Sequence, residues 1–203
     1  MKKSIALLLA LTMVLALCAC GRSRSSGYSP YSGSSYRSGS YSGSTYTSPG
    51  SGSRSSGVSS GNSNALSRAQ SYLRTSAFSY SGLVEQLEFE GFSESEAKYG
   101  ADHCGADWDE QAVKKAKSYI RLTGFSYEGL KEQLEFEGFT SSQATYGVDH
   151  CGADWNKEAV EKAQSYLNLS YSWTRSKLID QLEFEGFTYT QAVYGVDHCG
   201  HTW

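Results

Sequence analysis

Several motifs with a known chemistry are absent from this sequence. It contains no GxGxxG fingerprint, no P-loop and no HExxH pair, so no motif indicates nucleotide binding or zinc hydrolysis. Basic residues are scarce in residues 64–203, where 12 Lys and Arg stand against 21 Asp and Glu, a formal charge of −9. A surface of that sign repels phosphate, whereas DNA binding normally needs a basic stripe. The sequence therefore predicts no nucleic-acid partner.

The N-terminal apolar run is too short to span a membrane stably. Two lysines precede a run from Ile5 to Leu17, which has the length of a signal-peptide core. The run leads into Leu17-Cys18-Ala19-Cys20-Gly21, which resembles a bacterial lipobox. We predict a lipoprotein signal peptide over residues 1–19 and lipidation of Cys20, which would anchor the protein to the outer face of the cell membrane. The alternatives are an ordinary secretory signal and an uncleaved anchor.

A polar segment follows the predicted lipidation site. Residues 21–63 lack Asp, Glu, Leu and Ile and consist almost entirely of Ser, Gly and Tyr. Such a segment cannot bury enough apolar surface to offset its chain entropy. We therefore predict that residues 20–63 comprise the lipidated Cys and a disordered linker that keeps the folded part near the membrane. Alternatively, the tyrosines and arginines of the linker bind wall polymer or another polyanion.

The rest of the chain consists of three copies of one unit. The Cys-Gly steps at Cys104, Cys151 and Cys199 lie 47 and 48 residues apart, a period typical of tandem supersecondary units. We predict unit 1 over residues 64–108, unit 2 over 109–155 and unit 3 over 156–203.

Each unit reads as three short helices, so the predicted fold is all-α with three tandem, helix-turn-helix-like repeats. In unit 2 the first helix is expected over 109–122, with Asp107 and Glu110 forming a capping box. The second is expected from the cap Ser126 to Glu137. The third begins at Thr140, which is expected to form a capping box with Gln143. Matching boxes are expected at Ser93/Glu96 and Thr188/Gln191.

The stretch QLEFEGF ends the second helix of each unit, at residues 86–92, 133–139 and 181–187. We predict that its Leu is a core residue, that its Gly ends the helix in a left-handed conformation and that its last Phe packs back on the helix. Both glutamates are predicted to face solvent. The terminating glycines are Gly91, Gly138 and Gly186. A Trp at the end of each unit is predicted to pack on that same unit, at Trp108, Trp155 and Trp203.

Two patterns raise the question of catalysis. Glu88 and Glu90 are two positions apart on a helix, so they point to nearly opposite sides and cannot act as a glycosidase pair. Each unit also contains an Asp-His-Cys run, ending at Cys104, Cys151 and Cys199. Neighbours in a helix diverge by about 100°, which favours a structural role over a metal site or a Cys-His nucleophile. We therefore expect no enzyme activity, no catalytic residue, no metal and no cofactor, although ligands shared between units and a disulfide between units stay open.

An acidic stripe is the main candidate for partner binding. It comprises two carboxylates on the second helix of each unit and would favour a basic protein partner through electrostatic steering. A merely solvated surface is the alternative. The residues are Glu85, Glu88, Glu132, Glu135, Asp180 and Glu183.

A long motif recurs in the three units: A-x-x-x-A-x-S-Y-[LI], then F-S, then L-x-x-Q-L-E-x-E-G-F-[ST]-x-x-x-A-x-Y-G-x-D-x-x-G-x-D-W. Together with the lipobox and the polar linker, it resembles the Ltp-like host cell surface-exposed lipoproteins. Unit 3 departs from the motif, with Trp173 in place of Phe125 and Gly200-His201-Thr202-Trp203 at its end. In unit 2 the motif is carried by Ala112, Ala116, Tyr119, Phe125, Leu130, Gln133, Leu134, Phe139, Ala144, Tyr146, Asp149, Gly152, Asp154 and Trp155.

The resemblance implies a function that spacing alone does not. Members of this family occur in prophages and in Gram-positive chromosomes, and the phage-borne ones act in superinfection exclusion. Tethered outside the membrane, they block DNA injection by an incoming phage, and their repeats are thought to bind the phage tape measure protein. We therefore expect a membrane-anchored, surface-exposed binding protein with no small-molecule substrate. The alternative is a structural or adhesive surface protein that binds wall polymer or host matrix.

Overall fold

The computed structural model describes residues 59–169 and 172–203. Within these residues the chain forms nine α-helices and no strand, which confirms the predicted all-α fold of three three-helix units. None of the helices in the described part is long and apolar enough to cross a membrane. The helices are α1 Ser60–Thr75, α2 Tyr80–Phe89, α3 Glu94–His103, α4 Trp108–Ile120, α5 Tyr127–Phe136, α6 Ser141–His150, α7 Trp155–Leu169, α8 Arg175–Phe184 and α9 Tyr189–His198.

Each unit has its own hydrophobic core. Unit 1 is built from α1–α3, unit 2 from α4–α6 and unit 3 from α7–α9. The first and third helices of a unit contribute mainly alanines, which let the two helices approach closely, and the second helix contributes leucines. The first helices α4 and α7 pack mainly on the third helix of their own unit.

Side-chain caps define where the helices begin. Thr140 and Gln143 form the expected capping box, with the Gln143 Oε1 atom 3.0 Å from the backbone nitrogen of Thr140. The boxes at Ser93/Glu96 and Thr188/Gln191 are also present. Asp107 caps α4 as expected. Glu110 does not complete the predicted box, because its carboxylate lies 4.0 Å from Lys114 Nζ, one turn further along the helix.

A left-handed glycine ends the second helix of each unit. Gly138 has a φ of +86°, a conformation that a residue with a Cβ rarely adopts. The turn lets the backbone N–H of Phe139 donate to the carbonyl of Leu134 at 3.2 Å. The Phe139 ring then returns to the core, where it is buried. Gly91 and Gly186 have φ angles of +98° and +93°.

The first helix starts earlier than the sequence suggested. Helix α1 begins at Ser60, inside the segment assigned to the linker, because Ser59 accepts a hydrogen bond from Asn62 N and caps the helix. The signal peptide, Cys20 and the remainder of the linker lie outside the described residues.

Consecutive units are joined by a repeated hydrogen bond. Ser79 caps α2, and its hydroxyl also donates to the backbone carbonyl of Glu137 in unit 2, at 2.5 Å. Ser126 caps α5 and donates in the same way to the carbonyl of Glu185 in unit 3, also at 2.5 Å. The start of one second helix therefore docks on the end of the next second helix along the chain.

Candidate functional site

The last glutamate of QLEFEGF pairs with the first helix of its unit. Glu137 pairs with Lys115 of α4 at 2.6 Å, and Glu185 pairs with Lys162 of α7 at 2.9 Å. In unit 1, Glu90 accepts hydrogen bonds from Arg68 and Tyr72 of α1. The prediction that both glutamates face solvent was therefore wrong for the second one. Position explains the error, since Leu83, Leu87 and Glu90 follow the i, i+4, i+7 spacing of one helix face.

These paired carboxylates experience different environments. The Arg68 guanidinium, which is hydrogen-bonded to Glu90, holds the pKa of that carboxyl below its usual value. Burial raises the pKa of Glu137, against the opposing effect of Lys115. The glutamine of QLEFEGF completes the cluster, because Gln133 Nε2 donates to Tyr119 Oη at 3.2 Å. The cluster ties the second helix to the first.

The opposite face of the second helix is acidic and exposed. In unit 1 it carries Glu85 and Glu88, and in the other units the candidate residues of the predicted stripe are likewise exposed or half-exposed. Among the described residues, none of the six forms an ion pair, in contrast to Glu90, Glu137 and Glu185. Their charges are therefore available to a partner. The remaining four are Glu132, Glu135, Asp180 and Glu183.

A large aromatic side chain lies on the same face in every unit. Phe89 is 78% exposed, Phe136 48% and Phe184 57%. Phe89 follows Glu85 by four residues, so these two side chains lie on the same side of α2, whereas Glu88 is turned from Phe89 by about 100°. Unpaired carboxylates beside an exposed phenyl ring suit a partner that offers basic and apolar groups together.

Sequence reasoning assigned no role to these phenylalanines, although a signal was present. Phe89 lies two positions after the core residue Leu87, a rotation of about 200° on a helix. A residue so placed points away from the core. The helical phase of QLEFEGF thus predicts an outward Phe and an inward second Glu.

The Asp-His-Cys runs do not converge on a common site. Cys151 is buried, and its Sγ donates to the Val148 carbonyl at 3.1 Å, while His150 stacks on Tyr146 with ring centroids 4.0 Å apart. The three repeat cysteines are free thiols. The described residues include no group of three or more His, Cys, Asp or Glu side chains able to hold a metal ion.

The aspartates of these runs hold the second helix in place. Tyr80 at the start of α2 donates to Asp102 at 2.8 Å, and Tyr127 does the same to Asp149. In unit 3 the partner of Asp197 is Arg175, which lowers the pKa of the aspartate. The sequence analysis did not identify these contacts, because they join residues 22 positions apart.

Trp108 and Trp155 pack on their own units as expected, whereas Trp203 is 42% exposed. The ring of Trp108 meets Tyr80 edge-on at 5.5 Å and lies against the unit 1 core, although its backbone begins α4. Trp155 packs in the same way on Tyr127 of unit 2. Trp203 Nε1 donates to the carbonyl of Val196 in unit 3.

A protein-family model recognises the three repeats. The family model described as host cell surface-exposed lipoprotein matches residues 61–104, 107–151 and 154–199. The comparison with curated proteins found no match. Among solved structures, the chain is similar to Ltp, a superinfection exclusion protein from the Streptococcus thermophilus temperate phage TP-J34, with 35% identity, coverage of 46% of this chain and 96% of that chain, and a TM-score of 0.43. Since one match falls on each unit and together they span more than half of the sequence, the chain belongs to the family of host cell surface-exposed lipoproteins.

Proposed function

We propose that this protein is a membrane-anchored surface lipoprotein whose repeats bind a protein partner and thereby block DNA injection by an incoming phage. The observation that carries the proposal is the exposed Phe beside unpaired carboxylates on the second helix of every unit. Family membership and the excess of acidic residues support it.

The chemistry of this face favours a particular kind of partner. A basic segment would be attracted by the acidic residues, and apolar side chains within it would cover the phenyl rings. A phage tape measure protein, the partner implied by the family resemblance, is our proposed ligand. The protein acts by docking, without catalysis or a cofactor.

The test measures phage DNA entry and phage adsorption in cells that express the protein. We expect DNA entry to fall while adsorption continues. Replacing Phe89, Phe136 and Phe184 together by Ser should restore entry, because the apolar contacts of all three units are lost. The matched control is Leu122→Ser, which removes an apolar side chain that is 61% exposed but lies in a loop outside this face.

The folded state provides a second control. The Phe136→Ser variant should leave the free energy of unfolding within about 0.5 kcal/mol of the parent, as is usual for exposed positions. By contrast, Leu134→Ala should cost about 2–5 kcal/mol, because Leu134 is fully buried. Unchanged DNA entry across a panel of phages, or equal exclusion by the triple Phe variant, would contradict the proposal.

The proposed anchor is tested separately at Cys20. A Cys20→Ala variant should lose incorporation of labelled fatty acid and move from the membrane fraction to the medium. The neighbouring Cys18→Ala is the matched control and should keep both properties. If the two variants behave alike, Cys20 is not the lipidation site.

A further inference from the structure

The outer end of unit 1 contains a groove of about 660 Å³. Residues of α1 and of the turn after α2 line it, among them Asn64, Ser67, Arg68, Glu90 and Phe92. Phe89 does not line this groove. Among residues 59–169 and 172–203, no docking segment fills it.

The equivalent surfaces of units 2 and 3 are occupied by the preceding unit. Phe78 and Ser79 of unit 1 lie on unit 2, where Lys115 is 6.0 Å from the Phe78 ring. Phe125 and Ser126 of unit 2 lie on unit 3, where Lys162 is 5.6 Å from the Phe125 ring. The groove of unit 1 is thus a third copy of a surface that is used twice within this chain.

The basic side chain of the first helix is more exposed in the groove of unit 1 than on the occupied surfaces of units 2 and 3. The side chains of Lys115 and Lys162 are 22% and 16% exposed, whereas that of Arg68, at the same position of unit 1, is 49% exposed. The polar residue one turn earlier behaves similarly. Gln111 and Glu158 are buried, with only 5% of each residue exposed, but Asn64 is exposed. The residues of unit 1 that correspond to the docking surfaces of units 2 and 3 are therefore available to a ligand.

The two docking segments share a pattern, aromatic-Ser-x-x-Gly, at residues 78–82 and 125–129. The Ser caps its own helix and donates to the facing carbonyl with the same hydroxyl. The Gly keeps the cap undisturbed, since a Cβ at Gly82 or Gly129 would lie 2.9 Å from the capping Ser Oγ, and at Gly129 also 3.3 Å from the facing carbonyl oxygen. The pattern therefore specifies both the hydrogen bond and the close approach.

We propose that the groove of unit 1 binds the N-terminus of a helix from a separate protein, one that begins with Phe-Ser-x-x-Gly. The phenyl ring lies beside Arg68, and the Ser hydroxyl donates to the backbone carbonyl of Glu90. The exposed Arg74 at the edge of the groove favours an acidic residue in the first turn of the incoming helix, like Glu128 of the segment 125–129.

A second copy of this chain fits the groove poorly. The corresponding segment of unit 3 is Trp173-Thr174-Arg175-Ser176-Lys177. It has Lys177 where the docking segments have Gly, and Arg175 would bring positive charge to a groove that already contains two arginines. The occupant is therefore a heterologous helix.

The experiment measures binding of a labelled peptide to the full mature chain by fluorescence anisotropy. The probe is a helix-stabilised peptide with the sequence of residues 123–137. We expect saturable binding that weakens at least about tenfold when the peptide carries Ser126→Ala or Gly129→Lys. In the chain, Asn64→Trp should abolish binding by filling the groove, whereas Gln70→Trp, at an exposed position of α1 outside the groove, should not.

Three results would overturn the proposal. The first is no binding, or equal binding of the parent and substituted peptides. The second is concentration-dependent self-association in sedimentation that the peptide prevents, which would assign the groove to a second copy. The third is binding that requires removal of residues 21–58, which would assign it to the N-terminal part of this chain.

Discussion

At the scale of the residue, chemically identical side chains have opposite roles because of their helical phase. In QLEFEGF the first Glu is exposed and the second is paired with a basic residue of the first helix, as Glu135 and Glu137 illustrate. Likewise the middle Phe136 is exposed, whereas the last Phe139 is buried behind the glycine turn. A shift of two or three residues is enough to turn a side chain from solvent toward the rest of the unit.

Glu158 provides a residue-scale prediction of pH dependence. Burial raises the pKa of this carboxyl, although it accepts a hydrogen bond from Phe125 N at 3.2 Å. The folded protein therefore binds the proton more readily than the unfolded chain, and stability from this group falls as pH rises from the unfolded pKa through the raised folded pKa. We expect Glu158→Gln to remove that loss and to increase the free energy of unfolding by about 0.5–1 kcal/mol at neutral pH.

Unit 2 supplies the matched control, since Gln111 occupies the equivalent position there. Gln111→Glu should have the opposite effect, a loss of stability at neutral pH that disappears in acid. Denaturant unfolding of both variants between pH 4 and pH 8 measures these differences. A Glu158→Gln variant that is less stable than the parent at neutral pH but not in acid would show that the ionised carboxylate stabilises the contact between the units.

At the scale of the element, the two joints, meaning the contacts between consecutive units, differ. They differ in how closely the docking segment of one unit approaches the first helix of the next. The backbone N–H of Phe125 reaches Glu158 of α7. In the unit 1–unit 2 joint the corresponding Gln111 Oε1 is buried without a hydrogen-bond partner. The residue before the aromatic is Gly124 in the first case and Ala77 in the second. A Cβ at Gly124 would overlap the backbone of Glu158 and Lys162, so the glycine allows the shorter approach.

This contrast leads to a prediction for the unit 2–unit 3 joint. Gly124→Ala should push Phe125 away from Glu158, break their hydrogen bond and destabilise the joint by about 1–3 kcal/mol, because a buried acceptor is left unsatisfied. Hydrogen exchange of the Phe125 amide should become faster. Ala77→Gly is the reciprocal variant and should not accelerate exchange at Phe78. Unchanged protection of Phe125 in the Gly124→Ala variant would contradict this account.

At the scale of the whole molecule, the described chain is an array of similar cores connected through small joints. Each core is formed within one unit, and the hydrogen bonds between units that the described residues show come from the capping serines, from Ser81 and from Phe125. Stability in such arrays is approximately a sum of unit terms and nearest-neighbour terms. Damage to one core should therefore remain largely local.

Two matched core substitutions test this locality. Leu87→Ala in unit 1 and Leu182→Ala in unit 3 each empty a fully buried site and should cost about 2–5 kcal/mol in the substituted unit. Native-state hydrogen exchange should show faster exchange of amides throughout that unit and a smaller change in the unit two positions away. Equal loss of protection in units 1 and 3 from either substitution would instead indicate one cooperative body.

Much of this protein can be predicted from its sequence. The all-α class, the three units, the capping boxes and the left-handed glycines follow from periodicity and from residues within a few positions of one another, because helix boundaries are decided locally. The same periodicity also predicts that Glu90 points toward the first helix and Phe89 away from it. The acidic composition suggested instead that both glutamates face solvent.

Only the tertiary structure decided how the units use these residues. It determined that Ser79 and Ser126 bond to carbonyls of the next unit, and that Asp102 holds the start of α2. It also showed that the same groove is covered in units 2 and 3 and accessible in unit 1. These contacts join residues that are 22 to 59 positions apart. Their existence depends on where a unit stands in the array, whereas the periodicity of each unit is almost the same.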